Sequence, residues 1–169
     1  MAHLTRFLMQ DHARMFRAID AASKESSNLP AALGACDEIE AHMTIEEELV
    51  YPILRDEIDG READSAEAEH DQAKELINEI RNLEAGDPAL AQLMQQLKQS
   101  VGEHVDHEET DVIPRLHEHL LGREWDLGRL AWGMRQDLLG DSKRPKSIAA
   151  ARKVPNAGWT GGNVANAGW

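Results

Sequence analysis

The stretch His42-Met-Thr-Ile-Glu46-Glu-Glu-Leu-Val-Tyr-Pro52 returns downstream as His104-Val-Asp-His-Glu108-Glu-Thr-Asp-Val-Ile-Pro114. Both copies place a Glu four residues after the His, a second Glu beside it, and a Pro ten residues after the His. On an α-helix, residues i and i+4 lie one above the other on one face. Each copy therefore turns an imidazole and a carboxylate in the same direction. Two such helices facing each other bring two nitrogens and two carboxylates to a shared interior, a donor set suited to a pair of hard or borderline metal ions.

The rhythm extends upstream. His12 precedes the first copy by 30 residues, and His70 precedes the second by 34. The chain reads as a tandem of two units, each a single-His helix followed by a His-x-x-x-Glu helix. Such a unit cannot bury its apolar face alone, so the two are expected to close into one bundle.

Composition supports helices and narrows the function classes. The chain has 169 residues, enough to bury a substantial core, and only 4% aromatics. Ala, Leu, Glu and Gln are plentiful, which favours helix over strand. A net charge of −13 argues against nucleic acid as a partner, which would require a basic footprint. The single cysteine, Cys36, excludes an internal disulfide framework and cysteine-based zinc or iron–sulfur clusters, and it reads as a small core residue. No apolar leader or membrane span is visible, so the expected location is cytoplasmic.

Apolar residues spaced by three and four predict four helices. The first runs from about Leu4 to Ser23, with Leu4, Leu8, His12, Met15, Ile19 and Ala22 inward. The second follows Asn28-Leu29-Pro30, with Leu33, Cys36, Ile39, His42, Glu46, Leu49 and Ile53 inward. Residues Asp56 to Glu62 read as an acidic loop around Gly60. The third helix, from about Ala63 to Leu83, turns in Ala66, His70, Ala73, Ile77 and Ile80. Gly86 is its expected stop, and Asp87-Pro88 marks the next start. The fourth presents Leu90, Leu93, Leu97, Val101, His104, Glu108, Val112 and Leu116. Pro52 and Pro114 should each bend or end a helix.

Four His and two Glu thus fall on the inward faces of four consecutive helices. Burying such groups costs several kcal/mol unless they are paired or metal-bound. With short connections the expected fold is all-α, an up-down-up-down four-helix bundle over residues 1–120. A further helix is expected within 121–140, carrying Trp125 and Trp132 on the outside of the bundle. Residues 141–169 form a tail with five Lys or Arg against one Asp, ending in Val154-Pro-Asn-Ala-Gly-Trp159 and Val164-Ala-Asn-Ala-Gly-Trp169. This basic, repetitive tail suggests docking on the acidic bundle, on a second copy as a homodimer, or on a protein partner.

This pattern resembles the hemerythrin-like proteins, and specifically the HHE cation-binding domain. The matching features are Asp11-His12, His42-x-x-x-Glu46-Glu47 with Tyr51-Pro52, Glu69-His70, and His104-x-x-x-Glu108-Glu109 with Pro114, over roughly residues 3 to 120. The resemblance implies a non-haem, carboxylate-bridged di-iron centre, with manganese as an alternative metal. Its small-molecule ligand would be dioxygen, peroxide, nitric oxide or a small anion. Carried over residue by residue, His12 and His42 hold one ion, His70 and His104 hold the other, and Glu46 and Glu108 bridge.

One position departs from the family's oxygen carriers, which have His-x-x-x-His on the third helix. Here Lys74 stands four residues after His70. The departure favours sensing, peroxide turnover or iron handling over reversible oxygen carriage. His107, one turn from His104, is the residue able to compensate; otherwise it lines the pocket. His3, His117 and His119 read as surface residues, and Glu47, Glu48 and Glu109 as residues of solvated faces, with support of a ligand side chain as their alternative role.

Competing motifs fail on spacing. Ferritin-like sites need Glu-x-x-His on two helices, and only Glu67-x-x-His70 fits. The zinc-protease signature needs a His where Asp111 follows His107-Glu108. The leading expectation is a di-iron protein that binds dioxygen or a related small oxidant for sensing or detoxification. The alternatives are iron buffering or storage, and an adaptor whose metal only staples the bundle while the tail acts.

Overall fold

The computed structural model describes residues 3–24 and 28–140. The tail from residue 141, with its paired Asn-Ala-Gly-Trp endings and any docking they perform, lies outside the described residues. Every element among the described residues is helical.

Helix α1 (Leu4–Ser23) buries the whole expected stripe, together with Phe7 and Asp11. Helix α2 (Leu29–Ile45) opens on Asn28, whose side chain accepts a hydrogen bond from the Ala31 amide at 3.0 Å, while Pro30 occupies its first turn. An Asn cap and an early Pro are how a helix start satisfies or dispenses with its free amides. Of the expected inward residues of this helix, Leu33 and Ile53 are only partly buried.

Past Ile45 the chain neither stops nor simply kinks. It widens into a π turn over Glu46–Val50, continues as α3 (Tyr51–Ile53), and widens again over Leu54–Ile58. The second copy does the same: α5 (Ala89–His107) passes into a π turn over Glu108–Val112 and then into α6 (Ile113–His119). Proline lacks an amide hydrogen, and its ring crowds the carbonyl four residues back. Each π turn accommodates this by pairing the residue before the Pro with a carbonyl five back, Tyr51 with Glu46 and Ile113 with Glu108. Both π turns begin at the carboxylates that face the interior, and such turns recur at functional sites.

The expected acidic loop is a correction. The chain stays helical to Ile58, and α4 (Gly60–Arg81) begins two residues later. Asp59 alone breaks the path, and its carboxylate accepts from the amides of Arg61 at 3.1 Å and Glu62 at 3.4 Å. A local cap does the work assigned to a loop. Gly86, with φ of 88°, turns the chain toward α5, where Asp87 accepts from the Ala89 amide at 2.9 Å.

Helix α1 packs on α2 and α5, and α4 packs on α5 and α2, closing a square of four helical rods. One apolar cluster (Met15, Ile19, Cys36, Ile39, Ile77, Leu97, Val101 and neighbours) fills one end. A second (Leu4, Phe7, Leu8, Ile45, Tyr51, Leu54, Val112, Leu116 and neighbours) fills the other. The polar layer of His12, His42, Glu46, His70, His104 and Glu108 is buried with them. Burial pushes the Cys36 thiol up to about 12, in keeping with an inert core residue.

Helix α7 (Glu124–Leu139) lies against α1 and α2, as a helix added outside the bundle. Trp125 and Trp132 are half exposed. The face α7 buries consists of Glu124, Gly128, Ala131 and Arg135. No helix of the described chain is long and apolar enough to cross a membrane.

Candidate metal centre

All six sequence-predicted residues meet in one buried layer. His42 Nε2 lies 3.0 Å from Glu46 Oε1, and His70 Nε2 lies 3.2 Å from Glu46 Oε2. His12 Nε2 stands 3.3 Å from Glu108 Oε2, and His104 Nε2 stands 3.6 Å from the same oxygen. The His70 and His104 Nε2 atoms face each other at 3.1 Å. Four imidazoles therefore direct Nε2 at one another and at two carboxylates, from four different helices.

The two carboxylates are not equivalent. Glu46 turns one oxygen to His42 and the other to His70 and His104, so it addresses both histidine pairs. Glu108 approaches His12 and His104 through one oxygen, while its other oxygen accepts a hydrogen bond from the buried Tyr51 hydroxyl at 3.2 Å. Tyr51 Oη is also 2.9 Å from His70 Nε2. Burial first, then the charges of Glu46 and Glu108, drive the Tyr51 pKa far up, so it remains a neutral phenol.

Behind each imidazole stands a second carboxylate. His42 Nδ1 donates to Asp11 at 3.2 Å and His104 Nδ1 to Glu69 at 2.8 Å. His70 Nδ1 donates to Glu47 at 2.9 Å and His12 Nδ1 to Glu109 at 2.9 Å. The pairing follows the repeat: Asp11 and Glu69, each preceding a His, hold the imidazole of the next helix in their own unit. Glu47 and Glu109, each following a Glu of the motif, reach across to the other unit. A carboxylate on Nδ1 fixes the tautomer and aims the Nε2 lone pair at a metal.

The electrostatics are those of a caged charge cluster. Burial disfavours the charged form of His12, but hydrogen bonds and charge from Glu108 and Glu46 outweigh it and raise its pKa to about 10. His104 reaches about 10 in the same way, through Glu46 and Glu69 against burial. Burial opposes ionisation of Glu46, yet the His42 charge and the surrounding imidazoles hold its carboxyl well below the usual range. Strong opposing shifts in one buried cluster are a mark of functional sites.

The donor set fits a metal. His12 Nε2, His42 Nε2, both Glu46 oxygens and Glu108 Oε2 are buried without a well-aligned hydrogen bond, although each has a partner nearby. Buried polar atoms are rarely left so. Donors held at about 2.1 Å around one ion, at right angles, stand about 3 Å apart, and the closest contacts here run from 3.0 to 3.3 Å. Among the described residues two groups are compact enough to hold an ion: His12, His42, Glu46 and Glu108, and Glu46, His70 and His104. Imidazole with carboxylate and no thiolate suits iron, manganese or zinc. Beside the layer is a cavity of about 10 Å³, between His42, His70 and His104 on one side and Met15, Ile39, Met43, Ala73 and Val101 on the other. That is room for one water-sized molecule.

Other expectations resolve differently. His107 stays out of the converging nitrogens and does not line this cavity; it pairs with Glu62 at 2.5 Å and Glu69 at 3.2 Å. Lys74 turns to Glu47, 2.6 Å away, where it braces the carboxylate behind His70. Glu47 and Glu109, expected on solvated faces, are partly exposed but engaged with imidazoles. Their position directly after the motif Glu was the available signal. His3, His117 and His119 are surface residues, with His3 and His117 hydrogen-bonded to Glu124. Sequence reasoning gave no role to Tyr51, Asp11 or Glu69 beyond resemblance, and none to Arg135.

The sequence matches the family model described as the hemerythrin HHE cation binding domain over residues 3–116. No curated protein and no solved structure matches it. The matched span takes in every residue of the layer and of its carboxylate backing. The chain belongs to the hemerythrin HHE cation-binding family, whose His and Glu side chains make a metal-binding site.

Proposed function

We propose that the chain binds two iron ions and presents them to dioxygen or a related small oxidant, peroxide or nitric oxide, for sensing or detoxification. His12 and His42 hold one ion, His70 and His104 the other. Glu46, which addresses both histidine pairs, and Glu108, which approaches His12 and His104, would be the carboxylates shared between the ions. The observation that carries this reading is the convergence of four carboxylate-backed Nε2 atoms on two glutamates in a buried layer.

Bound iron supplies electrons and an open coordination position to a small oxidant. The protein's own residues do the rest. The small cavity beside His42, His70 and His104 suits a ligand of a few atoms, between an apolar wall of Met15, Ile39, Met43, Ala73 and Val101 and the polar side chains of Glu69 and Ser100. Tyr51, held neutral, donates its hydroxyl hydrogen to Glu108 and so orients that carboxylate beside His70.

Anaerobic metal analysis followed by an absorption spectrum on exposure to air tests the reading. Two irons per chain and new near-ultraviolet and visible absorption that tracks the iron are expected. Loose, substoichiometric metal without an oxidant-dependent spectrum would sink it.

A further inference from the structure

Arg135 lies on α7, beyond the residues that carry the family match. It is 7% exposed, and its neighbours on the buried stripe are Gly128 and Ala131, which offer an arginine nothing polar. Placing a guanidinium there costs several kcal/mol unless anions meet it. Two do. Its Nη1 is 2.7 Å from Asp11 Oδ1 on α1, a buried charge contact without a well-aligned hydrogen bond, and its Nη2 donates to Glu38 on α2.

Asp11 is fully buried, and its other oxygen accepts the His42 Nδ1 hydrogen at 3.2 Å. When His42 gives its Nε2 lone pair to a metal, the imidazole is neutral and cannot balance the Asp11 charge. The arginines can. Arg14 already meets Asp11 Oδ1 at 2.9 Å, from a side chain 27% exposed. Arg135 adds a shielded cation and fixes the carboxylate between α1, α2 and α7. The matching carboxylate in the second repeat, Glu69, is 32% exposed and faces water and His107 instead.

We propose that Arg135 is a positioning residue of the metal centre: from the C-terminal helix it holds Asp11 in the orientation that aims His42, so that α7 tunes one of the two metal positions. This rests on the reading of His42 as a metal ligand. The two positions are then unequal in affinity response, and only the one served by His12 and His42 feels α7.

The test is Co(II) titration of the full chain, read by chelator competition and by visible absorption, which reports ligand geometry. Wild type is expected to take two Co(II). Arg135→Met should weaken one Co(II) by about tenfold or more, the range found when a ligand's outer partner is removed, and change one component of the spectrum. Arg135→Lys keeps the charge but not the fork geometry and should fall between the two, which also carries the test if the Met variant fails to fold. Leu127→Ala unpacks the same helix from its apolar cluster without touching Asp11 and should lower Tm while leaving both affinities unchanged. Arg135→Met with wild-type Co(II) affinities would overturn the proposal. So would losses in Arg135→Met and Leu127→Ala that merely track Tm. A wild type that binds no metal would overturn the metal reading itself.

Discussion

Behind His42 stands Asp11, fully buried and flanked by Arg14 and Arg135; behind His104 stands Glu69, a third exposed and flanked by His107. The inner residues of the two repeats superimpose in role, since each supplies two imidazoles and one motif glutamate. Their surroundings do not. Glu46 divides its oxygens between the histidine pairs, whereas Glu108 gives one oxygen to Tyr51. Tyr51 has Ile113 as its counterpart in the other copy, and Arg135 has none. A tandem motif can thus fix a donor set while the sequence that does not repeat sets how each half behaves.

Removing the motif glutamates should break the symmetry most visibly. Glu46→Ala withdraws the group that faces both pairs and leaves two cations to repel at close range, so both irons should be lost. Glu108→Ala should lose less, keeping a residue of metal on His70, His104 and Glu46. His117→Ala, far out on α6, should retain full content. Equal losses in the two glutamate variants, measured by anaerobic metal analysis, would show that the unequal geometry has no consequence.

Metal removal comes next in size. At a free metal concentration about a thousand times Kd, binding stabilises the fold by ~4 kcal/mol, or roughly 10 °C in Tm for a chain of this size. Chelation at neutral pH should lower Tm accordingly. Protons compete for the same nitrogens. In the metal-free protein His12 and His104 titrate at about 10, above the usual ~6.5. Their stabilising effect is fully present below ~6.5 and is lost as pH rises through about 10. The metal-free Tm should therefore fall between pH 7 and 10, while iron affinity strengthens over the same interval. A metal-free Tm that is flat across this range would remove the protonated imidazoles from the account.

The carboxylates behind the imidazoles sharpen the comparison further. Asp11→Asn should weaken one metal by 10–100-fold, because no water reaches the vacated charge. Glu69→Gln, open to solvent and helped by His107, should cost only a few-fold. Competition with a chelator of known affinity measures both, and an effect of Glu69→Gln as large as that of Asp11→Asn would contradict the ranking by burial.

The fold and the inner layer were legible because both rest on spacing. The stripe from Leu4 to Ala22 and the His-x-x-x-Glu pairs obey the helical period, and a helix has little freedom to hide them. The acidic stretch from Asp56 to Glu62 misled because charge was read as loop, while a single Asp59 cap let helix continue on both sides. The stripes running past Pro52 to Ile53 and past Pro114 to Leu116 carry the helical continuation, while the widening to a π turn is a tertiary accommodation that spacing does not reveal. The buried stripe of α7 went unread for another reason. It runs Glu124, Gly128, Ala131, Arg135, and a search for apolar periodicity passes over a stripe whose ends are charged.

Lys74 makes the smallest and most specific test. It stands where the family's oxygen carriers have a histidine, yet its ammonium is 2.6 Å from Glu47 and partly exposed, so its present part is to brace the carboxylate behind His70. Burial opposes its charge, but Glu47 raises its pKa and keeps it a cation. On the proposed reading the ion at His70 and His104 has fewer protein nitrogens than in a carrier, and the reduced protein should oxidise in air without reversing under inert gas. Lys74→Met removes the brace alone and should loosen one iron by a few-fold. Lys74→His replaces it with a nitrogen donor and should oxidise more slowly than Lys74→Met. Stopped-flow absorption on the anaerobically loaded proteins separates these outcomes. Identical rates in wild type and both variants would make position 74 a bystander, and reversible oxygenation of the unmodified protein would return oxygen carriage to the leading place.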